Sequence, residues 1–96
     1  MSHPWKRPKK KTIPDMIVEW LLLSSDKDVI GSHKVQTEIP PFIKSWYGRS
    51  VNPATVDRQW RRLRSEKKHL LDNKGIRLIP NGRSYGESTW IIRLSM

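Results

Sequence analysis

Residues 52–71 read NPATVDRQWRRLRSEKKHLL, and their pattern predicts one long basic helix. Asn52 can cap this helix with its side-chain oxygen, and Pro53 suits the first helical position, where no backbone N–H is needed. The apolar residues recur at helical spacing and predict the side that faces the core, namely Val56, Trp60, Leu63, Leu70 and Leu71. We expect the helix to stop near Asn73 and Gly75, because both residues favour a helix end.

The opposite side of this helix is polar and strongly basic. At about 100° per residue it carries Ala54, Arg58, Arg61, Arg62, Ser65 and His69, with Thr55 at its margin and Gln59 at its flank. An arginine fork can bond two acceptors on a guanine edge or brace a phosphate, and a glutamine can read adenine. A merely solvated face normally mixes signs, whereas Asp57 and Glu66 are the two acids in this stretch. The pattern therefore favours a nucleic-acid contact surface.

Residues 13–24 predict a first helix, capped by Thr12 and with Pro14 in its first turn. Its apolar stripe, expected to face the core, consists of Ile13, Met16, Ile17, Trp20, Leu21 and Leu23. A polar turn follows, and residues 34–37 are then expected to form a short extended piece.

Pro40 and Pro41 are expected to open a second, short helix, because proline is tolerated best in a first turn. About two turns fit before Gly48 ends it. The residues of this helix expected to face the core are Phe42, Ile43, Trp46 and Tyr47.

The C-terminal part of the chain changes from helical spacing to alternation, which predicts a β-hairpin. Its strands are residues 76–79 and 89–94, joined by a loop over residues 80–87 that is too long for a two-residue turn. Arg83 in this loop can enter a minor groove, with Ser84 and Tyr85 supplying hydrogen bonds to phosphates.

Charge is abundant and unevenly distributed. The 96 residues contain 19 Lys and Arg against 9 Asp and Glu, a net charge of +10. Residues 49–77 hold nine of the bases and three of the acids, while residues 1–12 hold five bases and no acid, namely Lys6, Arg7, Lys9, Lys10 and Lys11. This segregation is the electrostatic footprint of a nucleic-acid binder.

Residues 1–12 form a basic arm that is expected to be disordered, and residues 13–96 a single domain. The arm can reach phosphates on DNA. Its basic run also resembles a nuclear localisation signal, so we expect an intracellular protein that is nuclear in a eukaryote and otherwise lies in the cytoplasm or nucleoid.

Catalysis, metals and membranes find little support in the sequence. The three histidines, His3, His33 and His69, lie in different predicted elements, and cysteine is absent. A magnesium cluster of Asp26, Asp28 and Glu38 is less favoured than a polar turn that ends the first helix. No apolar run approaches the length of about 20 residues that spans a bilayer. We therefore expect a non-enzymatic protein with no cofactor, no metal and no membrane contact.

The order of the predicted elements, helix–strand–helix–helix–strand–strand, resembles the winged helix-turn-helix family over residues 13–96. The resemblance implies a mainly α member of the α+β class, in which three helices precede a C-terminal hairpin called the wing. It also implies that the third helix enters the major groove and that the wing contacts backbone or minor groove. A weaker similarity, carried by residues 51–55 and by the wing, is to the RFX-type winged helix, whose wing does most of the major-groove reading.

The sequence therefore predicts a duplex-DNA-binding protein, most simply a transcriptional regulator that is a monomer in solution. Two alternatives stay open, an RNA-binding ribonucleoprotein component and a winged helix that contacts another protein. Further contact candidates at the edges of the third helix are Arg49 in the preceding turn, Asn52 at the cap and Lys68 towards the end.

Overall fold

The structure is a computed structural model that describes residues 12–84 and 86–95. It has the predicted α+β class, with helices first and a hairpin at the C-terminal end. The elements in chain order are α1 (Ile13–Leu22), β1 (Val29–Gly31), α2 (Ser32–Tyr47), α3 (Pro53–Arg64), α4 (Lys68–Asp72), β2 (Ile76–Ser84) and β3 (Glu87–Leu94).

The three strands form one antiparallel sheet in the order β1-β3-β2. β1 pairs with β3, with Ile30 opposite Trp90, so the hairpin is joined to the connection between α1 and α2. The side chain of Asp26 strengthens this joint, because its Oδ1 accepts a hydrogen bond of 2.8 Å from the backbone N–H of Leu94. The hairpin is thus fixed at its base to the helical part of the fold.

The core lies between the helices and one face of the sheet. Every helix and every strand contributes to it, through Met16, Ile17, Val18, Leu21, Ile30, Val35, Ile39, Ile43, Val56, Trp60, Leu63, Leu71, Ile76 and Ile92. Trp60 of α3 and Trp90 of β3 meet edge to face, with ring centroids 6.0 Å apart. This contact sets α3 against the sheet.

The predicted helix caps are confirmed. Thr12 and Asp15 form a capping box at the start of α1, in which each side chain faces the backbone N–H of the other residue. Asn52 caps α3 by accepting a hydrogen bond of 2.8 Å from the N–H of Ala54. Gly48 ends α2 with φ at +67°, a left-handed conformation that glycine adopts without a steric cost.

The prediction of an extended piece at residues 34–37 followed by a short helix from Pro40 was wrong. One helix, α2, runs from Ser32 to Tyr47 with Pro40 and Pro41 inside it. Burial outweighs the proline penalty, since the residues at four-residue spacing, Val35, Ile39 and Ile43, are fully buried. The two carbonyls that lose their helical donors belong to exposed residues, Gln36 and Thr37, so water can bond them.

The prediction of one continuous helix to about Leu71 was also wrong, because α3 ends at Arg64 and α4 starts at Lys68. The Ser65 hydroxyl donates to the carbonyl oxygen of Arg61 at 3.1 Å, which competes with the normal helical N–H donor. No apolar residue occurs at 65–68 to hold the segment on the core. His69 therefore lies in α4 and does not continue the outward face of α3.

The predicted eight-residue hairpin loop is in fact mostly strand. Ser84 pairs with Glu87, so the connection between β2 and β3 is residues 85 and 86. The turn-forming pair Asn81-Gly82 lies within β2 at a register shift between Pro80 and Arg83, where Gly82 has a φ of +83°. Both strands of the hairpin are consequently longer than the sequence predicts.

Two residues expected in the core are largely exposed. Trp46 lies in the last turn of α2, where its ring packs on Phe42 at 5.1 Å between centroids and stays 59% exposed. Leu23 is 58% exposed because α1 ends at Leu22, one residue before it. Both lie at helix ends, where a stripe has fewer neighbours to cover it.

Candidate nucleic-acid interface

α3 is fixed by one fully buried side, as the sequence predicts. Val56, Trp60 and Leu63 have no exposed surface. Because α-helical positions are about 100° apart, this burial forces the other side of α3 to face outward. The exposed residues on that side are Ala54, Arg58, Arg61 and Arg62, while Thr55 and Gln59 are half-buried.

The three outward arginines differ in how they are held. Arg61 Nη2 lies 3.0 Å from Asp57 Oδ2, and its side chain is 69% exposed. Arg62 Nε lies 3.4 Å from Glu66 Oε1, in a pair whose side chains are 48% and 65% exposed. Arg58 forms no ion pair within residues 12–84 and 86–95. The two acids of this stretch thus form i,i+4 ion pairs with two of the arginines, which is the mixing of signs that is typical of a solvated helix face.

Asp57 is unusual because its carboxylate is buried, with 7% of the side chain exposed. Its Oδ1 accepts a short hydrogen bond from the hydroxyl of Ser32, the first residue of α2. Gln36, one turn further along α2, donates to the same hydroxyl at 3.3 Å. Asp57 therefore connects the start of α2 to the outward side of α3 through Arg61.

Arg64 has a different environment from the outward arginines. Its guanidinium carbon lies 3.8 Å from the ring centroid of Trp90 and 5.2 Å from that of Trp60, which is cation–π geometry. Partial burial lowers the pKa of Arg64 below its ordinary value, the nearby Asp57 opposing and Arg61 adding to that effect. Its Nε is buried with no hydrogen-bond partner among the described residues. Arg64 joins α3 to the sheet, a role that the sequence analysis missed although Trp60 and Arg64 stand one helical turn apart.

The remaining candidates near α3 occupy its two ends. Asn52 is exposed, but its side-chain oxygen is engaged as the helix cap. Arg49 is exposed in the connection between α2 and α3. Ser65 is exposed, and its hydroxyl donates a hydrogen bond to the carbonyl oxygen of Arg61. Lys68 is the first residue of α4, which follows the break after α3. Lys68 lines, together with Arg64, a depression of about 390 Å³ between α4 and the hairpin.

The end of the hairpin brings one more cation to the surface. Arg83 Nη2 donates to the carbonyl oxygen of Gly86 at 2.7 Å, so its exposed guanidinium is folded onto the turn. Ser84 beside it is exposed. The Thr89 hydroxyl donates to the carbonyl oxygen of Gly82 at 3.2 Å and supports the register shift. Tyr85 lies outside the described residues.

The remaining sequence predictions concern the basic arm, metal binding and membrane contact. The arm residues Lys6, Arg7, Lys9, Lys10 and Lys11 lie outside the described residues. Within residues 12–84 and 86–95, His, Asp and Glu do not gather in any group of three that could hold a metal ion. In the same part of the chain, the helices are too short or too polar to cross a membrane.

Comparison of the chain with protein-family models, with curated proteins and with solved structures found no match.

Proposed function

We propose that this chain is a non-enzymatic duplex-DNA-binding protein of the winged-helix class that regulates transcription. In this proposal α3 enters the major groove, and the hairpin and residues 6–11 contact the backbone or the minor groove. The observation that carries it is the outward side of α3, where Arg58, Arg61 and Arg62 are exposed opposite a fully buried apolar side.

The dimensions of α3 suit this role. Its 12 residues give a helix of about 18 Å, and the major groove of B-DNA is about 12 Å wide and admits one α-helix. Guanidinium groups bond base edges and phosphates alike, and they are charged at every physiological pH. The small side chain of Ala54 near the start of α3 leaves room for a close approach to bases.

The test is fluorescence anisotropy with a labelled random-sequence duplex over a series of salt concentrations. The variant replaces Arg58, Arg61 and Arg62 with glutamine. Each phosphate contact contributes about 0.9 to the slope of log K against log salt, so the magnitude of the slope should fall by about 0.9 for each of these arginines that contacts a phosphate. An unchanged affinity and slope would contradict the proposal.

A matched control replaces Lys27, Lys44 and Lys74 with glutamine, since these three exposed cations lie outside α3 and the hairpin. The net charge falls by the same amount, so long-range attraction is weakened equally while α3 is intact. We expect the control to keep most of the salt slope. A competition with structured RNA at equal phosphate concentration completes the experiment, because RNA that displaces the duplex would point to a ribonucleoprotein role.

A further inference from the structure

We infer that Arg61 is the base-reading arginine of α3 and that Asp57 is its positioning residue, whereas Arg58 and Arg62 contact phosphates. This inference rests on the proposed function and assigns different roles to residues that the sequence presents as equivalent. It names a ligand feature as well, a pair of acceptors such as guanine O6 and N7 on one base pair in the major groove.

The three arginines differ in how strongly a neighbouring side chain restrains them. A free arginine side chain loses rotamer freedom when it is fixed at a base edge, and this loss weakens binding. Arg58 has no partner among the described residues, and the partner of Arg62 is a largely exposed glutamate. Exposed pairs of this kind are screened by salt and hold a side chain weakly. These two arginines are suited to phosphates, which tolerate variable geometry.

Arg61 is restrained by a carboxylate that cannot move away. Asp57 is 5% exposed, and the hydroxyl of Ser32 fixes its other oxygen. The carboxylate of this pair is therefore held in place in the free protein. Arg61 Nη2 lies 3.0 Å from Asp57 Oδ2, while the Arg61 side chain as a whole is 69% exposed. Asp57 thus favours one orientation of the Arg61 guanidinium, whose other donors face solvent before binding.

Charge supports the same assignment. The negative charge of Asp57 offsets part of the positive charge of Arg61, which weakens nonspecific attraction to phosphate at this position. The directional hydrogen-bond donors of the guanidinium are retained. Contacts to a base edge depend on the direction of hydrogen bonds, whereas contacts to a phosphate depend mainly on charge. An oriented arginine whose charge is partly offset is therefore suited to a base edge.

The experiment compares the wild-type chain with Arg61→Lys, Asp57→Asn and Arg58→Lys by selection from a randomised duplex library. Arg61→Lys keeps the positive charge beside the buried Asp57, so we expect the fold to be preserved, and thermal unfolding checks this. We expect the wild type to select a motif with one guanine read at about five- to hundredfold over other bases, the range for one bidentate contact. Arg61→Lys lacks the planar fork of arginine and should reduce the preference at that position, as should Asp57→Asn, whereas Arg58→Lys should leave it unchanged.

A chemical probe separates positioning from a general structural role. Replacing the selected guanine by 7-deazaguanine removes the N7 acceptor, which should weaken the binding of the wild type more than that of Arg61→Lys. A merely structural role of Asp57 predicts instead that Asp57→Asn loses affinity for all bases equally. If Asp57→Asn does not fold, as judged by thermal unfolding, Ser32→Ala takes its place, because it removes the hydrogen bond that fixes Asp57 and should reduce the same guanine preference.

The outcomes distinguish this inference from the proposed function. A salt-dependent duplex binder without base preference, or one whose guanine preference is undiminished in Arg61→Lys, overturns the assignment and leaves DNA binding intact. A wild-type chain that binds no duplex at any salt concentration overturns both.

Discussion

Replacing Pro41 with alanine should stabilise the protein, because the structure places this proline in the interior of a helix. Pro41 is the tenth residue of α2, which runs from Ser32 to Tyr47. The carbonyl of Thr37 lacks its helical N–H donor as a result. Pro41 is exposed, whereas Pro40 is half-buried, so substitution at 41 removes little packing.

The expected gain is of the order of 1–3 kcal/mol in the free energy of unfolding. Proline in a helix interior is about 3 kcal/mol less favourable than alanine. Pro40 stays in place and retains its own distortion, so we expect less than the full value. For a domain of this size, about 1 kcal/mol corresponds to a rise in Tm of about 4–8 °C.

Urea denaturation followed by circular dichroism measures the change, with Pro53→Ala as the matched control. Pro53 is also exposed, but it is the first residue of α3, where a missing N–H costs nothing. We expect this control to be neutral or slightly destabilised. A Pro41→Ala variant that is no more stable than Pro53→Ala would refute the reasoning that α2 is continuous through residue 41.

Three further substitutions test separate contacts. Arg64→Ala should lower the free energy of unfolding by about 0.5–2 kcal/mol, the range of a partly desolvated cation–π contact with Trp90, while Arg64→Met should cost less because it keeps an apolar stem; urea denaturation compares the two. The pKa of Asp26 lies below its ordinary value of 3.8, mainly because its carboxylate accepts a hydrogen bond from the N–H of Leu94. The stabilising contribution of this carboxylate is therefore present above pH 3.8 and is lost as the pH falls through the lower pKa of the folded state. Asp26→Asn should flatten this acid limb in a pH series of urea midpoints. Trp46→Gln should change the Tm little, since an exposed ring buries little area, and a large loss would show that this side chain belongs to the core after all.

The starts of α1 and α3 and the end of α2 could be predicted from local signals. Thr12, Asn52 and Gly48 contact groups within a few residues of themselves, so their effects can be recognised from the sequence alone. The continuity of α2 could not be predicted in this way. It depends on the burial of Val35 and Ile39 against distant parts of the chain, which outweighs the local preference of proline.

The candidate site could be predicted only to the level of a face. Periodicity identified the outward side of α3, because a regular helix fixes the angle between positions. The spacing of Asp57 and Arg61 is also visible in the sequence, but it normally indicates an exposed pair of small energy. The buried Asp57 accepts a hydrogen bond from Ser32, which is 25 residues away, and no local pattern contains that contact.

α3 is tied on two sides, and this bears on how the protein would bind. Asp57 and Ser32 connect it to α2, and the stack of Arg64 on Trp90 connects it to the hairpin. The two arginines concerned, Arg61 and Arg64, stand three residues apart, so one turn of helix carries both ties. Since the hairpin is also joined to β1, the relative placement of α3 and the hairpin is set in the free protein. Binding to a duplex would then require the ordering of side chains such as Arg58 and not the assembly of the surface, which reduces the entropic cost of association.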